Sequence, residues 1–256
     1  MKNILFITVI IFFAGCSTTT TIENKSLIPE APLLKSKAEG YFKAIGTEPF
    51  WSLEISEEKI RFQGIEAENE YISPHKEPIG SSDTNVKLYR VKTEGGEMEV
   101  SINRQNCSDG MSDLKHDYQV DISLKRDNQK EAINYSGCGN YMADYRLFDV
   151  WLLEELEGKK VTLANFSNEI PMLEINSSAK KFSGYAGCNR ISGTIFQERE
   201  LLRFSSIVST RMSCSETNME NIFLKALQSS TGYKIKNNRL HLINADGVIV
   251  VFKKID

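Results

Sequence analysis

The residues best equipped for chemistry in this chain are its five cysteines. Cys16 lies near the start, and Cys107, Cys138, Cys188 and Cys214 follow in the body of the chain. Cys188 stands in "GYAGCNR", between glycines and an Asn-Arg pair, and Cys214 closes "STRMSC". A thiol there could serve as a nucleophile, ligate a metal, or pair in a disulfide. A nucleophile needs a base and an electropositive setting. Arg190 is near, but no histidine stands at an assignable spacing. Zinc would need paired ligands such as C-x-x-C, and none is present. His75, His116 and His241 are scattered singly and read as surface residues. "CSDGMSD" offers Asp109 and Asp113 as oxygen ligands but lacks the acidic count of a calcium loop, so it reads as a turn held by Asx hydrogen bonds. Gly184 and Gly187 lack the Gly-Lys-Ser/Thr that completes a phosphate loop, and read as a close backbone approach or bulge in a curved strand. The carboxylates Glu66, Glu68 and Glu70 in "EAENE" read as a solvated face. Trp51 in "EPFW" reads as a core anchor.

Compartment decides the cysteine question. The chain opens "MKNILFITVIIFFAGCSTTTT": one lysine, an apolar run from Ile4 to Phe13, two small residues, then Cys16. The run is short for a membrane span and of signal-peptide length. The stretch resembles a bacterial lipoprotein signal, which implies a cleaved segment 1–15 and acylation of Cys16. Several acyl chains give firm anchoring. Ser17 in place of Asp implies sorting to the outer membrane. Residues 16–40 then form the lipidated cysteine and a Ser/Thr- and Pro-rich tether. In an exported chain the other four cysteines read as two disulfides. Three pairings are open. If the chain holds two domains, the sequential one is favoured, Cys107–Cys138 and Cys188–Cys214. Each would close a loop of about 30 residues, worth roughly 3–4 kcal/mol less any strain.

The 256 residues, 41% hydrophobic and 25% charged, describe a globular protein of one large or two ordinary domains. A net charge of −3 without any Lys/Arg block gives no footprint for nucleic acid. The fold reads as mainly β, with α+β character in the second half. "EMEVSIN" and "DYQVDISL" alternate strictly, as antiparallel strands with one buried face do. With "KIRFQGI", "VKLYRVKT" and "EAINYSG" they make residues 41–143 an all-β module. After a linker, a strand near Trp151 opens a second series: "KVTLA", "PMLEI", "KKFSGYAG", "ISGTIF" and "LLRFSSI". One helix follows. Met219, Ile222, Phe223, Ala226 and Leu227 share a face, Thr217 and Glu220 make a capping box, and Gly232 ends the segment. Asn237-Asn238 and Asp246-Gly247 turn the last three strands. A helical apolar face beside an antiparallel sheet predicts a curved sheet or partly open barrel around one helix.

The ordered set "WLLEELEG", "FSGYAGCNRISGTI", "LLRFSSIVSTRMSC", "ENIFLKAL" and "GVIVVF" resembles the META (HslJ-like) domain over residues 148–256. The resemblance implies an exported or outer-membrane setting and no catalytic activity. "AIGTEPFWSLEI" and "NCSDGMSD…YSGCG" resemble an uncharacterised module of bacterial lipoproteins, over roughly 41–142. Asn189, Arg190, Thr210 and Arg211 then form a candidate binding edge beside the cysteine loops, or else satisfy buried backbone groups. The functional expectation is a membrane-anchored lipoprotein, not an enzyme, with a binding, envelope-maintenance or stress-tolerance role. It needs no cofactor or metal, its partners are the membrane and an envelope protein or small ligand, and its oligomeric state is open. Two alternatives stand beside it. One is a small-ligand or lipid carrier with a cavity in the curved sheet. The other is an envelope hydrolase using Asp109 and Asp113 or the glutamates.

Overall fold

The computed structural model describes residues 40–65, 70–80, 85–110, 114–166, 169–215 and 218–255. The expected signal segment, Cys16 and the expected tether up to residue 39 lie outside the described residues, as do Glu66, Glu68, Asp113 and Thr217. Two antiparallel sheets fall within one compact unit.

The first sheet contains β1 (Phe42–Thr47), β2 (Phe50–Ile55), β3 (Lys59–Gly64), β4 (Glu70–Pro74), β5 (Val86–Thr93), β6 (Gly96–Ser108), β7 (Lys115–Arg126) and β8 (Ile133–Tyr141). Their order is β4-β3-β2-β1-β8-β7-β6-β5. The edge strands β4 and β5 lie near one another, and an Ile79–Leu88 bridge ties their connection to β5, so the sheet curls almost into a barrel. Alternation drives this curl. Met98, Val100 and Ile102 of β6 and Tyr118, Val120, Ile122 and Leu124 of β7 all face one core. Trp51 joins them at 4% exposure, while its neighbour Phe50 points outward. A register shift between Arg104 and Cys107 interrupts the β6–β7 ladder. The Cys107–Cys138 disulfide ties the far side of that irregularity to β8, and the Thr47 hydroxyl donates to the Asp109 carbonyl.

The second sheet contains β9 (Asp149–Leu156), β10 (Lys159–Lys160), β11 (Met172–Asn176), β12 (Lys181–Tyr185), β13 (Arg190–Glu198), β14 (Leu201–Ser209), β15 (Gly232–Lys236), β16 (Arg239–Asn244) and β17 (Gly247–Lys254). β17 pairs back onto β9 and closes a ring. The weak point is β14–β15, joined only at Leu201–Gly232. The helix α1 (Glu220–Ser229) joins these two strands and packs against β14 and β17. Its Phe223, Ala226 and Leu227 enter the core with Trp151, Leu202, Phe204 and Phe252. Full burial of Phe223 and Leu227 contributes about 1.5–3 kcal/mol each. This is the expected partly open barrel around one helix.

Local details depart from the sequence reading. "KVTLA" yields only the two-residue β10 and a 3-10 turn at Leu163–Asn165, because the Asn165 side chain captures the Thr162 N–H (2.8 Å). The helix does not end on Gly232. Ser230 leaves it in an extended conformation with its hydroxyl on the Leu227 carbonyl (2.8 Å), so no left-handed residue is needed. Ile222 is 38% exposed, since the buried stripe runs through Phe223, Ala226 and Leu227. Asn237 and Asn238 do make a left-handed turn, with φ of 53° and 56°. The next turn lies one residue earlier than read: Asn244 pairs with Gly247, so Ala245 and Asp246 make it.

Candidate functional site

Both expected disulfides are present, Cys107–Cys138 and Cys188–Cys214. Around the second, the "GYAGCNR" corner is organised by Asn189, 5% exposed, and Glu220, 8% exposed. The Glu220 carboxylate accepts from the Cys188 N–H (3.0 Å), the Asn189 N–H (2.7 Å) and the Asn189 side-chain amide (2.9 Å). That same amide also faces the Cys214 sulfur at 3.3 Å. The Asn189 side-chain oxygen accepts from the Thr210 hydroxyl (2.9 Å) and the Met212 N–H (2.7 Å). The Thr210 hydroxyl in turn accepts from the Arg190 N–H (3.1 Å). Every hydrogen-bonding position of the Asn189 amide is used inside the protein.

The capping box expected of Thr217 and Glu220 is therefore corrected on its described half. Met219 is the N-cap, Asn218 accepts from the Glu220 N–H (2.7 Å), and the Glu220 side chain crosses to the cysteine loop instead of turning back on its helix. A buried carboxylate needs several donors, and the loop's backbone N–H groups supply them. The glycines read as predicted. A Cβ at Gly184 would lie 2.1 Å from the Met172 carbonyl, and Gly187 has φ 105° with Phe166 against it.

The candidate edge Asn189, Arg190, Thr210 and Arg211 thus divides. Asn189 and the Thr210 hydroxyl are structural. The exposed Arg190 side chain pairs with no carboxylate among the described residues. It lines a groove of about 590 Å³ with Thr210, Tyr185, Met172, Glu174 and Val208. Arg211 is exposed and does not line it. The groove crosses the outer face of β9 and β11–β14, where outward positions alternate with the core residues Leu173, Phe182 and Ile191. The carrier reading expected a cavity within the curved sheet. Side chains from the strands and α1 occupy that interior, and the groove lies outside it.

Other residues considered for chemistry are dispersed. Asp109 is half-buried on the β6–β7 connection, and Glu70 pairs with Arg61 (2.5 Å). His75 meets the Tyr41 hydroxyl (3.0 Å), His116 meets Asn140 (2.9 Å), and His241 lies in β16. Among the described residues, Cys188, Cys214 and Glu220 bring potential metal ligands within 4.8 Å of one another. Both sulfurs are committed to the disulfide, and Glu220 already holds three donors. Sequence reasoning missed Glu220's role, because T-x-x-E before an apolar helix is a local signal and its true partners lie 31 and 32 residues back.

An NMR structure of a protein from Burkholderia xenovorans is 20% identical, covering 51% of this chain and 98% of that one, with a TM-score of 0.34. A second NMR structure is 24% identical, covering 42% and 90%, also with a TM-score of 0.34. No curated protein matches. The resemblance of residues 41–142 to a lipoprotein module gains no support from these comparisons. The family match falls on the second sheet and its helix: residues 147–256 match the model of the META domain.

Proposed function

We propose that this chain is an exported lipoprotein, held on the outer membrane by acyl chains on Cys16, whose META domain is a non-catalytic binding module in envelope maintenance or stress tolerance. The outer-face groove beside the disulfide corner carries the binding part of this reading. It combines apolar Met172 and Val208 with the Arg190 guanidinium, which pairs with no carboxylate among the described residues, on strands braced by the Asn189–Glu220 network. A few convergent polar groups in a largely apolar concavity are what ligand sites offer. Two disulfides fit an oxidising compartment and leave Cys188 and Cys214 without a free thiol. Catalysis is not part of this reading.

Two experiments test it separately. Cys16→Ser should move the protein from the membrane fraction to the soluble one, and unchanged membrane association would refute the anchor. In a deletion strain, wild-type protein should restore tolerance to envelope stress, while Arg190→Glu, expressed at the same level, should not. Full complementation by Arg190→Glu would remove the groove from the reading.

A further inference from the structure

The tip of the β13–β14 hairpin meets one end of the first sheet. That end gathers Tyr41 just ahead of β1, Tyr89 of β5, Tyr118 of β7 and Tyr141 at the close of β8. Glu198, 6% exposed, accepts from Lys87 Nζ (2.5 Å) and from the Tyr118 hydroxyl. Lys87 also donates to the Tyr141 hydroxyl (2.8 Å) and lies 4.5 Å from the centre of that ring. Burial first, and the Glu198 carboxylate second, push the Tyr118 phenol far above its ordinary value, so it stays a donor.

Arg199 completes the contact. Its guanidinium grips Glu57 through Nε (2.9 Å) and Nη2 (2.6 Å), and Glu77 through Nη1 (2.7 and 3.0 Å). It also lies 5.0 Å from the Tyr41 ring centre. Two-point arginine–carboxylate pairs are the directional kind of ion pair. Arg199 adopts φ 46°, the left-handed conformation of a hairpin-turn residue between the paired Glu198 and Leu201. Arg104 covers Phe196 on the same hairpin at 4.1 Å. Among the described residues no strand ladder joins the two sheets, so side chains make the joint. The receiving end presents one cation flanked by two carboxylates, and the tip supplies the complementary carboxylate and cation side by side.

We infer that this end of the first sheet is a recognition site for turn peptides bearing an adjacent carboxylate and guanidinium. The chain's own Glu198–Arg199 tip occupies it, fastens the two modules into one body and keeps the site closed. The inference is independent of the groove and of the membrane anchor.

The test uses the whole chain with Glu198→Gln and Arg199→Gly combined. Gln keeps the shape of Glu198, and Gly suits the left-handed backbone. The probe is a head-to-tail cyclised peptide of residues 194–203, "TIFQERELLR". It should bind the double variant and not the wild type, and the same peptide with both substitutions should bind at least about tenfold more weakly. Backbone ¹⁵N relaxation should give one rotational correlation time for both sheets in the wild type and two shorter ones in the variant. Equal peptide binding to wild type and variant, or no binding to a variant whose modules have separated, would overturn the recognition site. A variant that still tumbles as one body would overturn the fastening. Arg199→Gly alone repeats both readouts if the double variant fails to fold.

Discussion

The two sheets solve one problem in different ways. Each curls antiparallel strands around an apolar core, and each must stop water at an open end or seam. The second closes its ring by pairing β17 with β9 and sets its own helix beside the β14–β15 seam. The first has no helix among its described residues, and the tip of the other module meets its tyrosine-lined end. A self-supplied seal carries a local signature, because an amphipathic helix must repeat its apolar residues every three or four positions. A borrowed seal carries none. Lys87 and Glu198 stand 111 residues apart and belong to different sheets.

The two disulfides repeat the contrast. Cys188–Cys214 sits on the buried Asn189–Glu220 network, whereas Cys107–Cys138 ties down the end of the β6–β7 ladder. The largest effect should come from that network. Glu220→Ala leaves three buried donors without an acceptor and should destabilise the protein by about 3 kcal/mol or more. Urea unfolding followed by circular dichroism measures this, and a loss under about 1 kcal/mol would mean the loop holds without Glu220.

Next come the cysteines. Their sequence separations, 31 and 26, differ so little that loop closure alone predicts losses within about 0.2 kcal/mol of each other. Paired Cys→Ala replacement should cost about 2–4 kcal/mol at either site, with Cys188/Cys214 the dearer pair because the network loosens with it. Equal losses would show that the network stands without its disulfide.

A smaller effect lies in the linker. Burial pushes the Asp144 carboxyl up, but hydrogen bonds from Arg146 and the Tyr233 hydroxyl outweigh it and hold the group below its ordinary 3.8. With a depressed folded value, its stabilising contribution is present above 3.8 and is lost as pH falls through the folded value. Urea midpoints across the acid range should therefore fall less steeply for Asp144→Asn than for the wild type. Superimposable acid limbs would exclude this group. The smallest effect is expected at Arg190, whose exposed guanidinium pairs with nothing described. Arg190→Ala should leave stability within about 0.5 kcal/mol, and a larger loss would make the groove residue structural.

The sequence alone determined the main strands and the helix of this protein. Strict alternation in "EMEVSIN" and "DYQVDISL" makes strands wherever they lie, and the helix announces itself through Phe223, Ala226 and Leu227. Cysteine parity with two β-rich halves favoured Cys107–Cys138 and Cys188–Cys214 among three possible pairings, and these are the bonds present. Such features are legible because period and parity belong to the chain itself. Tertiary structure decided where the polar side chains go. Glu220 looked like a helix cap and holds a distant loop. Asn189 read as either a binding edge or a brace for buried backbone and is spent on the interior, leaving Arg190 to face the groove. Glu198 and Arg199 carried no signal between two predicted strands and enter the other module. A buried polar group takes whatever partner three-dimensional packing brings within about 3 Å, and spacing along the chain does not say which residue that will be.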